Sequence, residues 1–87
     1  MARSFNQWKI ETLLRLLEIK ALHKDNQRVQ ETVDALITKL HYLKLRDLAS
    51  FLVLVHHASS VAEEFLLLLP GMEEVQAWFT EEGEEEW

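Results

Sequence analysis

The sequence predicts an all-α chain: a small helical bundle of three long helices plus a short C-terminal helix, completed by oligomerisation. Three observations carry that expectation. Only two Gly and one Pro occur in 87 residues, too few turn residues for hairpins or sandwiches. Apolar side chains recur at the i, i+3, i+4 spacing of a helix face along most of the chain. On the first and third helices they do so on more than one side, while a domain this small buries only ~60–65% of the surface its unfolded chain exposes.

The first helix is expected over residues 5–23. Ser4 and Gln7 have the S-x-x-Q spacing of a capping box, which satisfies otherwise unpaired amide hydrogens in the first turn. Ile10, Leu13, Leu14, Leu17 and Ala21 make one stripe, read as facing the core. Phe5, Trp8, Leu16 and Ile19 make a second on the other side, read as facing a partner, with the core an equal alternative for Trp8, and with Glu11, Arg15 and Glu18 between the two. Lys24-Asp25-Asn26-Gln27 is the break, because Asp and Asn favour turns and N-caps over helix interiors.

The second helix, residues 27–44, carries a single stripe of Val29, Val33, Leu36, Ile37, Leu40 and Leu43, with Gln30, Glu31, Asp34, Lys39 and His41 outside. With the first it should form an antiparallel hairpin. A break is expected at residues 44–47, with Asp47 as the next N-cap. The alternative is one continuous rod of over ~60 Å at 1.5 Å per residue, which only another chain could cover.

The third helix is expected over residues 47–69, with Leu48, Phe51, Leu52, Val55, Ala58, Ala62, Phe65, Leu66 and Leu69 on its core side. Val53, Leu54, Val61, Leu67 and Leu68 carry the apolar surface further round, and Ala58, Ser59 and Ala62 are small enough to admit a neighbouring helix. Pro70-Gly71 ends it. A fourth helix, residues 72–80, presents Met72, Val75, Trp78 and Phe79, with Glu73 and Glu74 favouring its N-terminal end. Residues 1–80 read as one helical domain. Residues 81–87, nearly all Glu, read as a disordered acidic tail ending in Trp87.

Charge is divided unevenly. Residues 1–46 hold nine basic and five acidic side chains, whereas residues 47–87 hold ten acidic and none basic. The two halves attract each other, and no unmixed basic stripe is left for direct nucleic-acid binding. No secretory leader is seen, no apolar run is long enough to span a membrane, and no Cys implies a disulfide framework, so a cytoplasmic setting is expected.

Chemistry is sparse. His56 and His57 are adjacent, so on a helix their rings point about 100° apart and cannot share one ion within a chain. His57 and Glu64, and the row His56, Ser60, Glu64, leave open a metal shared across a dimer axis or a pH-sensitive contact. Ser59 and Ser60 lie in an expected helix, not on a strained turn, and two Gly cannot build a phosphate loop. No catalytic residue, cofactor, metal or small-molecule substrate is therefore expected.

The expectation for function is a non-enzymatic interaction module, an adaptor, accessory subunit or regulator that associates with its own copies or another protein. Its expected contact residues are Phe5, Trp8, Leu16, Ile19, Leu54, His57, Val61, Leu68 and Trp78. The alternative is an acidic inhibitor or nucleic-acid mimic, of the kind phages or plasmids encode, whose Glu-rich second half blocks a basic groove.

Overall fold

Ser4 opens the first helix as its spacing dictates: its hydroxyl accepts from the Gln7 amide at 3.1 Å, and its own amide donates to the Gln7 side chain at 2.9 Å. The computed structural model describes residues 3–81, and among them the order is α1 (Phe5–Leu22), α2 (Gln27–His41), a 3₁₀ turn (Leu45–Asp47), α3 (Leu48–Ala58), a 3₁₀ segment (Glu63–Leu68) and α4 (Met72–Glu81). No strand occurs among the described residues. The fold is all-α. The expected tail falls almost wholly outside the described residues.

α1 and α2 form an antiparallel hairpin. Asn26 caps α2 by accepting from the Val29 amide at 3.2 Å. Lys20 pairs with Asp34 at 2.6 Å, and Lys9 donates to the Leu43 carbonyl at 3.4 Å. Contacts that run forward along one helix and backward along the other define opposed directions. The Gln30 amide nitrogen donates to the carbonyls of Lys20 and His23, both at 2.9 Å, closing carbonyls that the end of α1 leaves open.

α2 and α3 are separate helices, joined through Tyr42–Lys44 and the turn at Leu45–Asp47. Asp47 sits at the start of α3, but its side chain makes no capping bond. Leu43 and Leu45 are buried, so this connection is fastened by apolar contact.

The long third helix does not form. α3 stops at Ala58, and the Ser59 and Ser60 hydroxyls turn back onto the carbonyls of His56 and His57. Such local bonds compete with a helix and favour turns. Ala62 is then extended, and the chain tightens into a 3₁₀ segment with a period of three. Ala62, Phe65 and Leu68 are accordingly buried, while Leu66 and Leu67, which a continuous α-helix would have placed differently, are exposed.

The core is built around Trp8, which is fully buried. Phe5 stacks on it with centroids 5.9 Å apart, Phe51 meets its edge at 5.9 Å and Trp78 tilts against it at 5.6 Å. Its indole N–H donates to the Leu68 carbonyl at 3.0 Å, fixing the 3₁₀ segment across α1. α4 is held against the N-terminal end of α1 by Trp78, whose indole N–H donates to the Arg3 carbonyl at 2.7 Å. The extents are 43 × 24 × 19 Å. With helices ~10 Å across, the molecule is about two layers deep in its thin direction, so a helix with two apolar faces can shelter only one.

Candidate functional site

The face that α1 shelters is the opposite of the one its stripes suggest. Phe5, Trp8, Thr12, Leu16 and Ile19 are buried. Ile10, Leu13, Leu14 and Leu17, expected in the core, are 62%, 38%, 55% and 49% exposed, and Ala21 is exposed beside them. The reason is bulk. Phe5 and Trp8 remove far more apolar area per residue than Leu or Ile, and Trp8 also has an N–H that Leu68 satisfies only from inside.

Six of the nine expected contact residues are consequently not available to a partner: Phe5, Trp8, Leu16, Ile19, Leu68 and Trp78 all lie in the chain's own core. Leu54 and His57 are exposed on α3, and Val61 is half-buried in the turn after it. On α4 the expected apolar side is divided: Trp78, an expected contact residue, is 2% exposed, whereas Met72 and Phe79 are 79% and 46% exposed. Ala58 and Ala62 are buried beneath this chain rather than open to another helix.

Two apolar surfaces stand out among the described residues. The first is the outer face of α1, continuous with a shallow pocket of about 230 Å³ against α2 that is lined by Lys9, Ile10, Leu13, Ile37, Leu40 and His41. The second is an open groove of about 540 Å³ between α3 and the Leu69-Pro70 corner, lined by Leu52, Val53, His56, His57, Leu69 and Pro70. The first presents four large aliphatic side chains from one rigid helix in one row. The second depends on a corner and two imidazoles.

The expected histidine row is broken. Because α3 ends at Ala58, the His56–Ser60–Glu64 row does not exist, and Glu64 is bonded to His23 at 2.9 Å instead. That bond, with the segment's own backbone N–H, holds the Glu64 carboxyl below the usual carboxylate range. Among the described residues no group of three His, Asp or Glu side chains could hold an ion.

Charge is matched at one end. The Arg3 guanidinium grips Glu74 with two bonds of 2.7 and 2.8 Å and reaches Glu11 at 3.7 Å. This fork, aided by the Gly71 amide, lowers the Glu74 carboxyl from the ordinary 4.5 to about 2. Two carboxylates of the acidic half, Glu64 and Glu74, are thus engaged inside the chain. No helix among the described residues is long and apolar enough to cross a membrane.

Sequence reasoning passed over the outer face of α1 as a surface, and Thr12 as a core position. The available signal was the ladder Phe5, Trp8, Thr12, Leu16, Ile19, in which a small Thr at i+4 from Trp8 sits among the two largest apolar side chains of the helix. Compared with known family models, curated proteins and solved structures, the chain matches none.

Proposed function

We propose that this protein is a non-enzymatic interaction module that binds another protein chain through the outer face of α1. The observation that carries the reading is the row Ile10, Leu13, Leu14 and Leu17, each more than a third exposed on one well-formed helix. Burying a Leu or Ile side chain fully is worth ~1.5–3 kcal/mol. Four of them about half exposed leave several kcal/mol unrealised in the isolated chain, and contiguous apolar patches of this kind mark binding surfaces. A partner helix laid along the row fits the helix-in-groove mode of recognition, with the 230 Å³ pocket accepting a side chain from it.

The acidic-inhibitor reading draws on the ten carboxylates of residues 47–87, but Glu64 and Glu74 are spent on His23 and Arg3, which leaves less free charge than the sequence offers. The two readings part under salt: apolar docking survives it, whereas steering by an acidic surface is screened within a Debye length of ~8 Å at physiological ionic strength.

The test compares the wild-type chain with Leu14→Glu/Leu17→Glu, which places charges on the row without touching the core. Both are used in affinity capture from cell extract, with circular dichroism confirming equal helix content. The expected result is a bound chain, a copy or another protein, that wild type retains in high salt and the double variant loses. Binding identical in both proteins, or no binding by either, overturns the proposal. Binding abolished by salt and by truncation after Thr80 assigns the activity to the acidic half instead.

A further inference from the structure

We propose that the occupant of the outer face of α1 is a second copy of this chain, seated in parallel, α1 against α1, about a twofold axis that runs along the helix pair. The inference rests on the reading above and adds to it the partner and its direction.

Ile10, Leu14, Leu17 and Ala21 follow one another at spacings of four, three and four, the alternation that keeps a seam facing a second helix. All four are exposed. Charges flank this seam by sign. Glu11 and Glu18 lie on one side, and Lys9 and Lys20 on the other, each roughly 90° round the cylinder from the seam; Lys24 continues the basic side in the turn beyond α1.

The neighbours reduce that division without reversing it. On the basic side α2 contributes Asp34, which binds Lys20 at 2.6 Å, and His41. Lys9 donates to a neutral carbonyl and lies 4.8 Å from the centroid of the Phe5 ring, and among the described residues neither it nor Lys24 meets a carboxylate. On the acidic side Arg15 lies behind the two glutamates, further from the seam, and Arg3 reaches Glu11 only at 3.7 Å while committed to Glu74 at 2.7 Å.

Segregated flanks distinguish the two ways of placing identical helices face to face. In an antiparallel pair each flank meets its own copy, glutamates against glutamates and lysines against lysines. In a parallel pair each acidic flank meets the basic flank of the other copy. Like charges oppose the first arrangement and unlike charges favour the second. Because one face carries both signs, the same chain supplies its own complement, and no second sequence is needed. One helix pair of 18 residues is a small contact beside the ~1,200–2,000 Å² of a stable interface, so the association is expected to be reversible and to follow concentration.

The chain has no Cys, which makes single cysteines clean reporters. Ile10→Cys, Ala21→Cys and, as a control on the exposed side of α2, Lys39→Cys are oxidised separately and as an Ile10/Ala21 mixture, beside light scattering of the wild type from micromolar to millimolar concentration. A disulfide needs Cα atoms within ~7 Å. In the parallel pair each seam position faces itself, so Ile10→Cys and Ala21→Cys each cross-link alone, several-fold above Lys39→Cys, and the wild-type mass rises from 10.2 kDa toward twice that value. Cross-linking of the mixture but of neither variant alone shows an antiparallel pair and overturns the orientation. A mass that stays at 10.2 kDa throughout overturns the second copy. If the wild type then still captures a different chain that Leu14→Glu/Leu17→Glu loses, the interaction reading survives this failure; if it captures none, both fall.

Discussion

The two faces of α1 are close in apolar content and opposite in fate. One carries Phe5, Trp8, Thr12, Leu16 and Ile19 and is sealed in the core; the other carries Ile10, Leu13, Leu14 and Leu17 and meets solvent. Periodicity does not separate them, since each satisfies a helical repeat. What separates them is the size of the anchors and the partners waiting on the other elements. Trp8 finds Phe51, Trp78 and the Leu68 carbonyl, whereas Leu14 is left 55% exposed among the described residues. A helix with two apolar faces turns inward the one that can be both covered and hydrogen-bonded.

The sharpest way to break this contrast is to truncate equivalent bulk on each face. Trp8→Ala is expected to cost ~3–5 kcal/mol, a large part of the ~5–15 kcal/mol that holds a small domain folded, and denaturant titration should show most of the cooperative transition lost. Leu16→Glu, which places a charge in a site with no exposure, should unfold the chain for the same reason.

The second effect concerns what keeps the inner face covered. Arg3 and Glu74 fasten α4 over Phe5 and Trp8, and the Glu74 carboxyl is depressed from 4.5 to about 2. A depressed carboxyl adds stability that is complete above its unfolded value and is lost as pH falls from about 4.5 toward 2. Glu74→Gln should therefore lower stability by ~1 kcal/mol near neutrality, once screening by water is allowed for, and should flatten that acid limb in a series of melts. Asn26→Ala, which removes the cap of α2, should cost a similar ~1 kcal/mol but leave the acid limb intact.

The smallest effect on folding is expected on the outer face. Leu14→Glu should change stability by no more than ~0.5 kcal/mol, as surface substitutions do, while removing association altogether. A loss as large as that of Trp8→Ala would mean that the outer face is sheltered within the monomer, and the contrast between the two faces would disappear.

How far the sequence could be read differs by element. The buried face of α2 was legible, because it has one apolar stripe and Val29, Val33, Leu36 and Leu40 leave only one way to bury it, but its end was not: α2 stops at His41 rather than at residue 44, and Leu43 is buried in the connection beyond it. The capping box of α1 and the Asn26 cap were legible too, being local bonds between residues three apart. α1 was read inside out, since choosing between two stripes depends on Leu68 and Trp78, sixty and more residues away. The end of α3 was missed because no Gly or Pro marks it; two serine hydroxyls bonding backwards do that work quietly. The candidate surface inherited the error on α1, so the two apolar sides were recognised while the free one was misassigned.

Arg3 belongs to no helix, yet the last helix depends on it twice, through its carbonyl to Trp78 and its side chain to Glu74, across more than seventy positions of chain. The residue just ahead of the first helix is thus the clasp for α4. Trimming the first few residues, or fusing a bulky tag directly in front of Ser4, is expected to unfasten α4 and open the aromatic core to proteases, although neither change touches a single residue of the helix that comes loose.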